Sequence, residues 1–215
     1  MREDGKPRFS IIIPAHNSSA YIRKALDSVK QQTFQDYELI VICDSCSDDT
    51  EQIAQEYGAF TERVGFGRDG LTRNQGIART HGEYVLFIDD DDWWLHEYVL
   101  EQLDQKLKEN PDIDVLCFSF IFKGVKYATP TGNNGRHWVA VWNKCWRREF
   151  IKDVKFSGES STSDLTFNRD AMAKLPKLLD WDMPMYYYNY MRAGSQTELD
   201  NRRILLKTLQ NIQNA

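Results

Sequence analysis

Short apolar runs alternate with helical patterns along the first half of the chain. Residues 9–13, 39–43 and 84–88 are continuous runs of strand-forming residues, which is typical of strands buried on both faces. Between the first two runs, apolar residues recur at the spacing of a helix that buries one face: Ile22, Ala25, Leu26 and Val29. Ser18 or Ser19 is expected to cap this helix. The alternation predicts an α/β fold with a mostly parallel sheet flanked by helices.

The pattern in the second half of the chain is less regular. Leucines at helical spacing mark a helix over 100–107, residues 115–122 form an apolar strand, and 124–129 suit a hairpin partner. A further helical pattern covers 164–174, after a stretch in which aromatic, charged and glycine residues are mixed. No internal repeat or low-complexity linker is present. We therefore expect a single domain with an elaborated C-terminal third, ending in an amphipathic helix over 199–215.

Polar residues follow three of the predicted strands at the points where the strands end. They are residues 14–17, with Pro14 expected to stop the first strand, and residues 44–48 and 89–92. Because ligands in open α/β sheets bind outside the carboxyl ends of the strands, these loops are expected to meet in one crevice. Residues 89–92 are four consecutive aspartates, whose mutual repulsion favours a counter-cation. A hard divalent metal with a phosphate ligand fits this position better than a solvated acidic loop.

Composition and charge exclude several classes of function. The chain has 215 residues, of which 41% are hydrophobic and 27% charged, and its net charge is -5. This charge gives no support for nucleic-acid binding. No apolar stretch approaches the ~18 residues of a transmembrane span, and the N-terminus lacks the apolar core of a signal peptide. We therefore expect a cytoplasmic protein without a transmembrane segment, with peripheral association at the inner face of the membrane left open.

Two short motifs have other interpretations that must be weighed. Residues 65–70 match the G-x-G-x-x-G of a dinucleotide-binding turn, and Asp89 follows about twenty residues later, as in nicotinamide or flavin oxidoreductases. The strand before this loop is poorly apolar, however, and four aspartates exceed what one ribose requires. Residues 43–46 form a C-x-x-C, which would suit a redox pair or half of a zinc site, but Cys117 and Cys145 lack the spacing to complete a zinc site.

Several segments together resemble a known family. They are residues 9–17, 28–34, 38–42, 73–78 and 82–92, followed by 142–148 and 186–190. In this order and over nearly the whole chain, they are similar to the GT-A-fold glycosyltransferases of the family 2 type. The resemblance implies a GT-A (Rossmann-like) sheet and a transferase that uses a nucleotide sugar.

The resemblance also implies a donor site at the strand ends. The positions that match donor-nucleotide contacts are Pro14, Ala15, His16, Asn17, Asp44, Arg73, Asp89 and Asp90. Among these, Asp44 matches the acid that reads the base of the donor. Residues 89–91 match the D-x-D element, which contacts ribose and holds a divalent metal on the diphosphate. Asp91, together with Asp89, is expected to bind Mn²⁺ or Mg²⁺.

The catalytic base is expected in a later block, at Asp164. By the resemblance, Asp164 would deprotonate the acceptor hydroxyl for in-line attack, with inversion at the anomeric carbon. Ser163 stands where the family usually has a glutamate, which affects the positioning of the acceptor. Further contacts to the acceptor or to the diphosphate are expected from Glu159, Trp93 and Arg192, of which Arg192 belongs to a segment resembling a mobile lid.

The loop that reads the base departs from the family pattern in two places. Cys43 replaces the acid that usually precedes Asp44, and Ser45-Cys46 replaces Gly-Ser. The turn has therefore lost its glycine, which would alter or relax the preference for the base.

The sequence thus favours a metal-dependent, inverting glycosyltransferase, with UDP as the expected nucleotide of the donor and a glycan or lipid-linked sugar as acceptor. Within one domain of residues 1–215, approximately 8–110 would bind the nucleotide sugar and approximately 111–198 the acceptor. The alternative is a non-catalytic protein of the same fold that binds a nucleotide sugar or glycan. Asp91 and Asp164 argue against this alternative, whereas Ser163 and the altered Asp44 loop favour it.

Overall fold

The computed structural model describes residues 5–123, 125–127, 140–158 and 163–190. The strands in these residues are β1 (Phe9–Ala15), β2 (Tyr37–Asp44), β3 (Phe60–Val64), β4 (Tyr84–Phe87), β5 (Trp93–Trp94), β6 (Val115–Phe122), β7 (Val125–Tyr127), β8 (Lys144–Arg147) and β9 (Leu178–Tyr188). The helices are α1 (Ile22–Lys30), α2 (Thr50–Glu56), α3 (Asp69–Ala78), α4 (Val99–Glu109), α5 (Arg148–Ile151) and α6 (Ser163–Ala173).

All the described strands belong to one sheet. Eight of them follow the order β3-β2-β1-β4-β8-β6-β9-β5, and β7 pairs with β6 outside this path. The first four strands are mutually parallel. The strand β8 is antiparallel to both β4 and β6, β9 is parallel to β6, and β5 is antiparallel to β9. The predicted α/β class with a sheet flanked by helices is confirmed; the sheet is parallel across its first four strands and mixed beyond them.

The central strands are buried and almost entirely apolar because helices flank the sheet. Every residue of β1 and of β4 is buried. Helix α1 buries the four residues predicted from its periodicity, Ile22, Ala25, Leu26 and Val29. The expected serine cap is wrong: Tyr21 occupies the N-cap position and makes no side-chain cap bond.

Pro14 does not stop the first strand, as expected from the sequence, but lies inside β1 opposite Ile42. The pairing pattern explains why it is tolerated. The carbonyl of Ile12 accepts the last bond from β4, donated by the amide of Ile88 at 3.0 Å. Because backbone groups two residues apart point the same way, the nitrogen of Pro14 faces the side where β4 has already ended. No ladder hydrogen bond is therefore lost.

No pattern of apolar and polar residues indicated β5, β8 or β9. The longest of them, β9, contains Pro184 and two aspartates, and therefore lacks a strand-like alternation. Pro184 lies opposite Ser119, where the register between β6 and β9 shifts. A bulge of this kind accommodates a residue that cannot donate a ladder hydrogen bond.

Other predicted elements are present, some with changed bounds. The hairpin partner of β6 is β7, and the last described helix is α6. The helix predicted over 199–215 lies outside the described residues. Within the described ranges, no helix is long and apolar enough to cross a membrane.

Candidate functional site

The carboxyl ends of β1, β2 and β4 meet at one edge of the sheet. Ala15, at the end of β1, is level with Cys43, and Ile12 is level with Phe87. This register brings the residues that follow these strands together. The ring of His16 donates a hydrogen bond from Nδ1 to the carbonyl of Asp44 at 2.6 Å.

Hydrogen bonds also fix the loop after β1 against the loop after β2. Asn17 has a φ of 48°, and its Oδ1 accepts a hydrogen bond from the amide of Ser47 at 2.8 Å. Its Nδ2 lies 3.4 Å from Nε2 of His16. Pro14 and Ala15 are buried within the strand. Of the four predicted residues 14–17, only His16 and Asn17 expose their side chains at this edge.

Asp44 accepts hydrogen bonds on both carboxylate oxygens. Oδ1 accepts from the amide of Gly67 at 2.9 Å and from Ser45 Oγ at 3.0 Å. Oδ2 accepts from the amide of Arg68 at 3.0 Å and from Thr72 Oγ1 at 2.9 Å. Burial alone would raise the pKa of Asp44, but these four bonds hold it below its ordinary value. The carboxylate is therefore an ionised anchor for the loop before α3.

The same bonds explain the G-x-G-x-x-G of residues 65–70. Two backbone amides that a pyrophosphate would need in the dinucleotide interpretation, those of Gly67 and Arg68, donate to Asp44 instead. Gly70 serves packing, because a Cβ there would lie 2.3 Å from the carbonyl oxygen of Ser157. The motif is thus accounted for by the loop itself, without a dinucleotide.

The four consecutive aspartates form a turn rather than a uniformly solvated loop. The amide of Asp92 donates to the carbonyl of Asp89 at 3.0 Å, which closes the turn. Asp92 is buried, and it accepts hydrogen bonds from Tyr186 Oη and the amide of Asn189, each at 2.7 Å. Burial and the neighbouring aspartates raise the pKa of Asp92 well above its usual range. Asp92 therefore faces the core and not the crevice.

Asp90 joins the aspartate turn to the loop after β1. Its Oδ2 accepts hydrogen bonds from the amide of His16, at 3.3 Å, and from the hydroxyl of Ser18. Ser18 is fully buried. The sequence suggested Ser18 only as a helix cap, and its contact with Asp90 arises from a residue 72 positions away, which no local pattern indicates.

Arg73, on α3, contacts carboxylates from three different elements. Its guanidinium lies 2.9 Å from Asp69, 2.6 Å from Asp89 and 3.5 Å from Asp164. The Arg73 side chain is only 5% exposed. Burial alone would lower its pKa, but the three carboxylates raise it well above the ordinary value, so Arg73 remains charged. One buried cation thus contacts both Asp89 of the aspartate turn and Asp164, the predicted base.

Asp164 lies in the first turn of α6, with its side chain 26% exposed. Burial raises its pKa to about 6, against the lowering effect of Arg73 and with a further contribution from Asp89. Its hydrogen bond from the amide of Val141 is long, at 3.3 Å. A carboxylate with this pKa is ionised at neutral pH and can still accept a proton, as a general base requires.

The donor atoms at the aspartate turn suit a hard divalent metal that is shared with a diphosphate. Asp89 and Asp91 are half-buried, whereas Asp92 is directed inward. Within the described ranges, no group of three histidine, cysteine, aspartate or glutamate side chains forms a metal cluster. Mg²⁺ is commonly held by one or two carboxylates together with substrate phosphates and water, so two aspartates fit this mode of binding.

The remaining predicted contacts differ in outcome. Trp93 stacks on Tyr187 at 4.2 Å, and Lys24 Nζ lies 3.1 Å from its ring centroid. Protein side chains therefore cover both faces of this indole, so stacking of Trp93 on an acceptor sugar does not fit. Glu159 and Arg192 lie outside the described residues.

Two known proteins are similar to this chain over most of its length. The glycosyltransferase GlyA of Streptococcus pneumoniae is 35% identical over 218 residues, covering 87% of this chain and 31% of GlyA. The poly(ribitol-phosphate) beta-N-acetylglucosaminyltransferase TarS of Staphylococcus aureus is 34% identical over 209 residues, covering 87% of this chain and 36% of TarS. The chain thus spans about a third of the length of these two relatives.

Solved structures show the same fold. The crystal structure of S. aureus TarS 1–349 in complex with UDP-GlcNAc matches with a TM-score of 0.78 and 26% identity, covering 89% of this chain and 60% of that chain. Glucosyl-3-phosphoglycerate synthase from Mycobacterium tuberculosis, solved with Mn²⁺ and UDP, has a TM-score of 0.68 at 20% identity, with 92% and 76% covered. The family model described as Glycosyl transferase family 2 matches residues 10–158, which is more than half of the chain. The chain therefore belongs to glycosyl transferase family 2.

Proposed function

We propose that this protein transfers a sugar from a nucleoside-diphosphate sugar to a hydroxyl group of a glycan or lipid-linked acceptor, with inversion at the anomeric carbon. UDP is the proposed nucleotide, and Mn²⁺ or Mg²⁺ the proposed metal. The observation that carries the proposal is the position of Arg73, 2.6 Å from Asp89 and 3.5 Å from Asp164. One buried cation thus links the proposed donor-binding turn to a carboxylate whose pKa is suited to a base.

The donor would occupy the crevice at the ends of β1, β2 and β4. Asp44 would act by holding the loop of Gly67 and Arg68 as one wall of the base pocket, since its carboxylate already accepts four hydrogen bonds. His16 and Asn17 would form the opposite wall, and the aspartate turn would face the ribose and the diphosphate. Residues 8–110 are the proposed donor half of the domain.

Asp91 and Asp89 would hold the metal, whose positive charge would neutralise the leaving diphosphate. Arg73 has a separate role in this scheme. Because it pairs with Asp89 and Asp164 at once, it holds the two carboxylates close together, and its charge lowers the pKa of Asp164 against the effect of burial.

The proposed chemistry at Asp164 is proton abstraction. As the acceptor hydroxyl attacks the anomeric carbon, its proton passes to the Asp164 carboxylate. A new bond forms between the acceptor oxygen and that carbon, while the bond to the diphosphate oxygen breaks on the opposite face. The nucleoside diphosphate leaves with the electron pair, and the sugar is transferred with inverted configuration.

The relatives support the choice of donor more strongly than the choice of acceptor. S. aureus TarS has been solved in complex with UDP-GlcNAc and is named as an N-acetylglucosaminyltransferase that acts on poly(ribitol-phosphate). On this basis we place the present chain in polysaccharide biosynthesis, with residues 111–198 as the acceptor half. We propose that it acts in the cytoplasm at the inner face of the membrane.

A thermal-shift series with UDP, GDP, dTDP, CMP and NAD, each with and without Mn²⁺, tests the donor assignment. Ligands that bind the folded state raise the melting temperature, so no acceptor is required. We expect stabilisation by UDP that depends on Mn²⁺. Stabilisation by NAD without metal dependence would contradict the proposal.

Matched variants sharpen this experiment. Asp91→Asn should abolish the Mn²⁺-dependent part of the shift. Asp112→Asn, an exposed aspartate before the start of β6 at the opposite edge of the sheet, should leave the shift unchanged. An undiminished shift in Asp91→Asn would remove Asp91 from the metal site.

A further inference from the structure

We infer that Tyr186 is a positioning residue of the donor site, whose single hydroxyl holds both ends of the aspartate turn. This inference rests on the proposed binding of a metal and a diphosphate at that turn. Tyr186 lies on β9, in the half of the chain that the donor assignment did not involve.

The contacts of the Tyr186 hydroxyl carry the inference. It accepts a hydrogen bond from the amide of Asp89, the first residue of the turn, at 3.1 Å. It donates a hydrogen bond to Oδ2 of Asp92, the last residue of the turn, at 2.7 Å. The turn is also closed by its own backbone bond between these two residues, so the hydroxyl supports the same closure from the side of the core.

The surroundings of Tyr186 fix where this hydroxyl lies. The residue is fully buried, and its ring stacks on Trp142 with a centroid distance of 4.5 Å and an interplanar angle of 8°. The other oxygen of Asp92 accepts from the amide of Asn189, which follows the same strand. Because the ring is packed and Asp92 is held at both oxygens, the hydroxyl has one available position.

The two ends of the turn are therefore held from the core, by the backbone amide of Asp89 and the side chain of Asp92. Asp90 and Asp91 lie between them at the corner of the turn. A change in the spacing of the two ends would move the carboxylates that are proposed to meet the metal and diphosphate. A substitution that removes only the hydroxyl should therefore weaken metal-dependent binding without altering the pocket of the base.

The test compares Tyr186→Phe with Tyr187→Phe by calorimetric titration of UDP with Mn²⁺ and of uridine alone. Uridine carries no phosphate and reports only on the base and ribose pocket. For Tyr186→Phe we expect the affinity for UDP with Mn²⁺ to fall about 10- to 100-fold, as for other partners that orient metal ligands, with unchanged affinity for uridine. Tyr187→Phe, whose ring stacks on Trp93, should change neither affinity.

Any other outcome would contradict the inference. An unchanged affinity of Tyr186→Phe for UDP with Mn²⁺ would overturn it, and a parallel loss of uridine binding would show a merely structural role. Absence of Mn²⁺-dependent UDP binding in the unmodified protein would overturn the proposed function, and this inference with it. If Tyr186→Phe does not fold, Asp92→Ala removes the acceptor of the same hydroxyl and should give the same selective loss.

Discussion

Two carboxylates at the same edge of the sheet, Asp44 and Asp164, have opposite electrostatic environments. Both are withdrawn from water, and in both cases burial by itself raises the pKa. Asp44 accepts four hydrogen bonds within 3.0 Å, and its pKa is lowered. Within the part of the chain that the structure describes, Asp164 accepts one long bond from a backbone amide and has an arginine at 3.5 Å, while burial and the neighbouring aspartates raise its pKa to about 6. Because burial raises the pKa of both, the four hydrogen bonds to Asp44 and the neighbouring aspartates of Asp164 separate the two.

The difference in pKa suits the two carboxylates to different functional roles. A carboxylate that is fully hydrogen-bonded holds a loop in place and is a weak base. A carboxylate that is buried with few hydrogen bonds accepts a proton more readily, which suits it to catalysis at neutral pH. In the proposed function, the Asp44 region would therefore shape the donor pocket, and the Asp164 region would provide the base.

The largest expected effect comes from Asp164→Asn. The amide keeps the size of the side chain but cannot accept the proton, so we expect the rate of sugar transfer to fall by about 10²- to 10⁴-fold. Binding of UDP with Mn²⁺ should persist, because Asp164 is not part of the proposed donor contacts. Steady-state kinetics with a donor and acceptor pair, together with thermal shift, would measure the two properties separately.

Asp170→Asn is the matched control for this substitution. Asp170 lies on the same helix, and its carboxylate pairs with Arg169 on an exposed surface. It should leave both the rate and the binding of the donor unchanged. If Asp164→Asn retained a near-normal rate, Asp164 would not be the base, and the contrast with Asp44 would lose its functional meaning.

The dependence of the rate on pH gives the next largest effect. With a pKa of about 6, Asp164 is protonated below this pH, so kcat/KM should fall about tenfold per pH unit on the acid side. Measurement of kcat/KM between pH 4.5 and 8, with the fold checked by circular dichroism at each pH, tests this. A rate that stays constant down to about pH 4.5 would contradict the raised pKa of Asp164.

The two carboxylates also affect stability with opposite signs. The folded pKa of Asp44 is lowered, so its contribution is present above the unfolded pKa near 3.8 and is lost as the pH falls through the folded value. The folded pKa of Asp164 is raised, so the folded state binds more protons between pH 3.8 and about 6, and its contribution decreases as the pH rises through this window. Acid unfolding therefore mixes the two effects.

The donor half of the fold was largely predictable from the sequence. The apolar runs of β1, β2 and β4 and the periodicity of α1 arise from burial on both faces of a parallel sheet, and this burial leaves a strong local signal. The positions of His16, Asp44 and Asp89 at one edge follow from the strand order alone. For this reason the sequence could also indicate a crevice containing these residues.

The contacts that complete the site could not be predicted in this way. Tyr186 reaches Asp92 from 94 positions away, and its strand contains a proline and a register shift that hide the strand pattern. The bridging role of Arg73 depends on where α6 packs relative to α3. Such contacts are set by tertiary packing, and local patterns of apolar and polar residues do not encode them.

The smallest predicted effect concerns the strained turn that carries Asp44. Ser45 has a φ of 54°, a conformation that costs a residue with a Cβ about 1–2 kcal/mol, and glycine avoids this cost. Ser45→Gly and Ser45→Ala both lose the hydrogen bond from Oγ to Asp44, so their difference isolates the strain. We expect the glycine variant to have the higher free energy of unfolding, by about 1 kcal/mol, in urea denaturation.

The same pair of substitutions at Ser47, whose φ is not positive, should give the reverse order, because glycine adds flexibility to the unfolded chain there. Equal stability of the two Ser45 variants would show that the Asp44 turn carries no strain, and that its missing glycine has no energetic consequence.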